Sequence, residues 1–405
     1  MDMPSTTRRG FLKWGGVAIA ASASLPAILE ACGSSPSSSA PIKIGILLPF
    51  SGVYAGLGDS IHKGMALYFD KAKNKAAGRA LSFYLADEGA TNDVALEGAR
   101  RLIQTENVDV LMGSVSSAAV LVERSLAIQT HTPFVVSLAG ATDLASNPNE
   151  WVYRVSYNTP ELDIPFAKYI YDNVAKKVVL AAANYIGGTQ HMDAFKGAFT
   201  ALGGTILAEI LPPLGTADYA PYLAQIAAAH PEATYSFFAG ADAIHFVQQY
   251  SQFGLKASAP LTGTNLTDQA VLYTVGSPAE GVLTSNTWAV TLDNASNREY
   301  VDAWIGRYHT NPDVFGVYGY DSAQVVVHAL QNLNGDTSNR AKIAKAIGDV
   351  SFESPRGIKF KFNPKTHDPH QLLYARTVDT KVPSWLHLAD GDLVNTVVAN
   401  LGVID

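Results

Sequence analysis

Residues 109–143 read Asp-Val-Leu-Met-Gly-Ser-Val-Ser-Ser-Ala-Ala-Val-Leu-Val-Glu-Arg-Ser-Leu-Ala-Ile-Gln-Thr-His-Thr-Pro-Phe-Val-Val-Ser-Leu-Ala-Gly-Ala-Thr-Asp. The apolar run at 110–112 stops at Gly113, and small hydroxylated residues lead into a segment of helical period. A second apolar run, 134–136, ends the same way in Ser137-Leu138-Ala139-Gly140-Ala141-Thr142. Two short strands separated by a helix predict a parallel βαβ unit. In open parallel sheets, ligands gather beyond the carboxyl ends of the strands. Those ends carry small hydroxyls and backbone amides at a helix start, which suits a carboxylate or another anion. They carry no base, metal ligand or phosphate loop, so the stretch is read as a place that holds something.

Outward from it, residues 42–49 (Ile-Lys-Ile-Gly-Ile-Leu-Leu-Pro) form a nearly continuous apolar strand, as the middle of a parallel sheet requires. The glycine-rich loop 50–59 is expected to feed a helix over 60–76. A dinucleotide fingerprint would need glycine at position 61, where Ile61 stands, so that motif fails. A strand over 81–86 ends in Asp87-Glu88, and Asn92 is expected to cap a helix with Val94, Ala95, Leu102 and Ile103 on one face. With 109–143 these make one doubly wound α/β lobe. Residues 151–156 form another short strand, and Asn158-Thr159-Pro160 marks the first crossing to a second lobe. There the alternation starts again: strands over 177–183, 205–211, 233–238, 260–264 and 282–287, with helices between them. From residue 293 the pattern turns helical (298–308, 318–333, 339–347), as if the chain returned to cover the first sheet, with Tyr318 and Tyr320 in its core. Residues 357–362 and 371–378 alternate like the two arms of an antiparallel hairpin. The expected division is 42–157 with 290–348 for the first lobe and 158–289 with 349–405 for the second.

The chain has 405 residues, enough for two domains, and 47% hydrophobic with 16% charged residues argues against disorder. A net charge of −7 argues against a nucleic-acid surface, which needs a basic stripe. The single cysteine, Cys32, rules out an internal disulfide. Thr7-Arg8-Arg9-Gly10-Phe11-Leu12-Lys13 precedes an apolar, small-residue segment and resembles a twin-arginine export signal spanning 1–31. Leu29-Glu30-Ala31-Cys32 resembles a lipobox, which would make Cys32 the lipidated N-terminus and residues 32–41 a Ser/Pro tether. Glu30 departs from the usual small or apolar residue, and plain cleavage to a free periplasmic protein is the alternative. His367-Asp368-Pro369-His370 contains a turn-forming Asp-Pro, so no metal site is expected there, and no cofactor elsewhere. Hydrolase elbows, Walker loops and Cys/His clusters are absent from the sequence.

The body resembles the type I periplasmic solute-binding proteins of the branched-chain amino acid (leucine/isoleucine/valine-binding) family, which feed ABC importers. The likeness is carried, in order, by Ile-Gly-Ile-Leu-Leu-Pro-Phe-Ser-Gly (44–52), Gly-Ser-Val-Ser-Ser (113–117), Leu-Ala-Gly-Ala-Thr (138–142), Asn-Tyr-Ile-Gly-Gly (184–188), Phe-Phe-Ala-Gly-Ala (237–241), Leu-Thr-Gly-Thr-Asn (261–265) and Val-Tyr-Gly-Tyr-Asp-Ser-Ala (317–323). It implies two Rossmann-like lobes joined by three crossover strands, a cleft between them that closes by a hinge, a permease and ATPase as partners, and a monomer. It places a carboxylate clamp on Ser116, Ser117, Ala139 and Thr142, with Tyr185 and Phe315 lining the cleft; Tyr54, in the glycine-rich loop, joins them as an aromatic candidate. Helix capping for the hydroxyls and core packing for the aromatics are the plainer alternatives. Members that bind α-amino acids set a carboxylate against the ammonium where this chain has the neutral Asn265. Either Asp242 (also a candidate helix cap) or Glu88 substitutes, or the ligand carries no amine. Two ligand classes follow: a small amino acid or amide, and a carboxylate with an apolar or aromatic body. A sensory receptor of the same fold and an exported hydrolase are the other function classes.

Overall fold

The computed structural model describes residues 40–389 and 393–404; the segment expected to be an export signal, Cys32 and nearly all of the expected tether lie outside them. The strands are β1 (Ile42–Leu48), β2 (Lys75–Ala76), β3 (Arg79–Asp87), β4 (Val110–Gly113), β5 (Phe134–Val136), β6 (Val152–Arg154), β7 (Lys177–Ala182), β8 (Thr205–Ile210), β9 (Ala233–Phe237), β10 (Leu261–Thr264), β11 (Leu283–Asn286), β12 (Phe352–Glu353), β13 (Lys359–Phe360), β14 (Gln371–Asp379) and β15 (Val394–Ile404). The helices are α1 (Ala55–Lys71), α2 (Asn92–Arg100), α3 (Ala119–Gln129), α4 (Thr142–Ser146), α5 (Thr159–Asn173), α6 (Ile186–Ala201), α7 (Ala220–Ala229), α8 (Ala241–Gln252), α9 (Gln269–Val275), α10 (Ala295–Tyr308), α11 (Val314–Asn332) and α12 (Arg340–Gly348).

Two sheets organise them. The first runs β2-β3-β1-β4-β5-β6, parallel except for β2; the second runs β15-β14-β11-β10-β9-β7-β8, parallel from β11 to β8 and closed by the antiparallel β14 and β15. Because side chains alternate along a strand, each parallel sheet needs cover on both faces. Ile44, Ile46 and Met112 pack with α1 and the returning α11, while Leu47, Leu111 and Phe134 pack with Leu102, Val120 and Leu126 on the other face. In the second lobe Val179 and Ala181 meet Phe246 and Val247, and Val178 and Leu180 meet Phe166, Phe195 and Phe199.

The chain passes between the sheets three times, after β6, after β11 and between α12 and β14. Three buried arginines knot these passages together. Arg154 holds Asp368 through Nε and Nη2, both at 2.8 Å. Arg356 donates to Asp321 at 2.9 Å, Gln371 at 2.6 Å and the Val155 carbonyl at 3.1 Å. Arg376 donates to the Trp288 carbonyl at 2.6 Å and faces Asp268 at 3.3 Å. Removing one partner of such a pair leaves a buried charge and costs about 3–5 kcal/mol. Asp368, in the segment considered for a metal, is spent on Arg154, and His367 stacks on Tyr153. Among the described residues no cluster could hold a metal ion.

Several local expectations are corrected. Helix α1 starts inside the glycine-rich loop rather than after it, because Gly58 lets the first turn press against the Pro49 carbonyl; a Cβ there would lie 1.9 Å from that oxygen. The cap of α2 is Thr91, whose hydroxyl accepts from the Val94 amide, and not Asn92; Val94 is 44% exposed, and Ala99 takes its place in the core. The crossing expected at Asn158-Thr159-Pro160 falls where α5 begins, and Pro160 fits its first turn because a proline there gives up no helical hydrogen bond. The hairpin partner of β14 is β15, a strand that was not anticipated; β13 pairs with β12 instead, and 357–362 reaches 371–378 only near the turn, by a Phe362–Pro369 bridge. No helix among the described residues is long and apolar enough to cross a membrane.

Candidate functional site

The carboxyl ends of both sheets face the gap between the lobes. From the first lobe Tyr54, Val115, Ser117, Leu138 and Gly140 line an enclosed cavity; Tyr157 enters from the first passage. Tyr185 after β7, Phe237 ending β9 and Asn265 after β10 form the opposite wall with His191 of α6, and Phe315 of α11 completes it. Residues of both lobes thus meet around one cavity.

Tyr54, Ser117, Tyr185, Asn265 and Phe315, all expected to bind, share this cavity. Ala139 is fully buried between the lining residues Leu138 and Gly140. Among the described residues, nothing accepts a hydrogen bond from the amides of Ser117 and Ala139. Ser116 is not part of the cavity. Its amide donates to Glu88 Oε1 and the Val115 amide donates to Oε2, both at 2.8 Å, while its hydroxyl accepts from the first amides of α3. Glu88 therefore sets the chain's own carboxyl group against the Ser116 amide, one of the four expected clamp positions. Burial outweighs those two amide bonds and pushes the Glu88 carboxyl up to about 8, with the neighbouring Asp87 charge acting in the same direction.

Thr142 also lies outside the cavity. It bridges the lobes: its amide donates to Gln190 Oε1 at 3.2 Å and its hydroxyl accepts from Gln190 Nε2 at 2.9 Å. Asp242 lies outside too. It caps nothing in its own helix and instead accepts from the Gly215 amide at 3.0 Å. Asn265 is fully engaged, its Oδ1 accepting from Asn286 at 2.7 Å and its Nδ2 donating to the Tyr157 hydroxyl. It carries no charge to set against an ammonium group. Burial raises Tyr185 to about 12 and Tyr54 and Tyr157 well above the usual phenol range, so all three remain protonated donors.

Sequence reasoning missed His191, Tyr157 and the clamp role of Glu88. His191 stacks on Phe237 with ring centroids 3.7 Å apart, and its Nδ1 lies 2.6 Å from Asp163. That partner is 28 residues away, and Glu88 lies 28 residues from Ser116, so no local pattern announces either.

The lining is therefore aromatic with several donors, and it contains no acidic side chain. Residues 41–383 match the family model described as periplasmic binding protein. The chain is a type I periplasmic binding protein of the Leu/Ile/Val-binding family. It is 27% identical to Leu/Ile/Val-binding protein homolog 6 of Brucella melitensis over 83% of this chain and 87% of that one. A solute-binding protein of an ABC transporter from R. palustris, solved in complex with benzoate, superposes with a TM-score of 0.83 at 30% identity, covering 90% of this chain and 98% of the other. Another, from Rhodopseudomonas palustris BisB5 in complex with 3,4-dihydroxybenzoic acid, gives 0.82 at 29% identity, covering 89% and 97%. The binding proteins of this family keep the two-lobe architecture seen here.

Proposed function

We propose that this periplasmic binding protein is the extracytoplasmic, lipid-anchored solute receptor of an ABC importer, and that it captures an amine-free aromatic carboxylate by hinge closure and delivers it to a permease. The observation that carries this reading is the lining: aromatic rings, hydroxyls and unpaired amides, with no carboxylate to receive an ammonium group. A buried ammonium without an anionic partner is costly, whereas an anion held by oriented amides in a dry cleft is well satisfied. The two R. palustris proteins in complex with benzoate and 3,4-dihydroxybenzoic acid support the aromatic class. The Leu/Ile/Val-binding homologues favour an amino acid as the second reading. In our reading the ligand's carboxylate docks on Ser117 and the Ala139 amide, and its ring lies between Tyr54, Tyr185 and Phe315. Export would use the twin-arginine segment, with Cys32 as the anchor.

A thermal-shift panel of benzoate derivatives and aliphatic amino acids tests this, because a ligand that binds only the folded state raises its stability by mass action. Aromatic acids are expected to raise the melting temperature; a response to leucine alone, or to none of them, would reject the aromatic reading. Ser117→Ala should weaken binding of the responding acid by about 1–3 kcal/mol, since a hydrogen bond to a charged group is lost. Titration calorimetry showing unchanged affinity removes Ser117 from the clamp.

A further inference from the structure

Glu88 follows β3 and is 1% exposed, yet it is not among the residues lining the aromatic cavity; it lines a neighbouring one that shares Tyr54. Its own amide donates to the Leu48 carbonyl at 2.9 Å, which ties it to the end of β1. Its two carboxyl oxygens reach the loop after β4, one accepting from the Val115 amide and the other from the Ser116 amide, each at 2.8 Å. Two bonds from one side chain to consecutive amides leave the peptide planes between 114 and 116 little freedom. The residue before them, Ser114, sits at a φ of 69°, in the left-handed region that a serine rarely adopts unless its surroundings impose it. The Ser114 amide donates to the Leu47 carbonyl at 2.9 Å, and its carbonyl accepts from the Leu138 amide at 3.2 Å, joining this loop to the one after β5. The first amides beyond these bonded ones are those of Ser117 and Ala139, and nothing among the described residues accepts from either.

From this we infer that Glu88 is a positioning residue for anion recognition: without touching the ligand, it holds the loop after β4, and through Ser114 the loop after β5, so that the Ser117 and Ala139 amides stand ready for the ligand's carboxylate. By taking the amides of Val115 and Ser116 it also withdraws them from the ligand, which leaves one free amide in each loop. Donors that recognise a charged group must be kept in place by a supporting layer of hydrogen bonds, and Glu88 supplies that layer from a third loop of the same lobe. The inference rests on the carboxylate docking set out under the aromatic-acid reading.

The test compares benzoate with benzamide, which has the same ring and no charge, by titration calorimetry on the purified protein. The wild type is expected to bind benzoate about ten- to a hundredfold more tightly. Glu88→Gln keeps the length of the side chain, but its amide nitrogen is a donor and cannot receive a second backbone amide. It should lower the ratio about tenfold through weaker benzoate binding, while benzamide, held by the rings, binds much as before. A merely structural loss would weaken both ligands alike. Glu88→Asp, whose two oxygens stop one methylene short of the amides, should give an intermediate ratio, and it carries the test if Glu88→Gln does not fold. The inference is overturned, with the aromatic-acid reading left standing, if the ratio is unchanged, if both ligands weaken alike, or if benzoate binds more tightly, as loss of a repelling charge would give. A wild type without preference between the two overturns the inference together with the carboxylate docking. One that binds neither overturns the aromatic-acid reading as well.

Discussion

Glu88 places a carboxyl group where a bound anion was expected, against the amides of Val115 and Ser116. In the folded chain it keeps its proton up to about pH 8, while in the unfolded chain it ionises near its ordinary value of 4.5. Between those values the folded state binds the extra proton, so the contribution is full below pH 4.5 and is lost as the pH rises through 8. Glu88→Gln cannot ionise. Its melting temperature relative to wild type is therefore expected to improve from pH 5 to about pH 8 and to level off above that, and a constant offset across that window would mean that Glu88 does not titrate there. Position after a strand end was enough to find Ser117, Tyr185 and Asn265, because parallel sheets put their ligands there. His191 and Glu88 were not legible because each is held to a partner 28 residues away, and Thr142 pairs with Gln190 because the chemistry that grips an anion also grips an amide.

At the scale of elements, α1 and α11 approach until their backbones touch. A Cβ on Gly319 would lie 2.0 Å from the Ile61 carbonyl oxygen, and one on Gly64 would lie 1.9 Å from that of Gly316. Gly319→Ala must push the helices apart within a packed core, with an expected loss of about 1–3 kcal/mol. Urea denaturation would show it as a lower midpoint with an unchanged slope, and an unmoved midpoint would mean that the helices are not in register as described. The strands β1, β4, β5 and β7 were legible as apolar runs because sheets covered on both faces leave no polar alternation. β15 was not, since Asn400 and Gly402 interrupt it and its outer face is exposed, with Val403 53% accessible. Helix α9 was not anticipated either; it has only seven residues.

For the whole molecule, the closed arrangement is latched by few groups. Gln190 bonds twice to Thr142, and the Ala241 amide donates to the Val53 carbonyl at 3.1 Å. Gln190→Ala removes both bonds to Thr142 across the lobes. It should therefore weaken ligand binding by about three- to tenfold while the melting temperature of the unliganded protein barely moves. Small-angle scattering would show a larger radius for the unliganded variant; unchanged affinity would show that the latch adds nothing to closure.

The discontinuous first lobe also constrains how this chain is made. Ser60 and Asp313, bonded to one another in the buried seam of that lobe, are 253 residues apart in sequence. Until α11 has left the ribosome, α1 and the first five parallel strands have no lid, and their apolar face must wait in solvent or in a chaperone. The second lobe waits longer still for β15. Chains stopped anywhere before residue 330 should remain protease-sensitive throughout, with neither half surviving as a stable fragment.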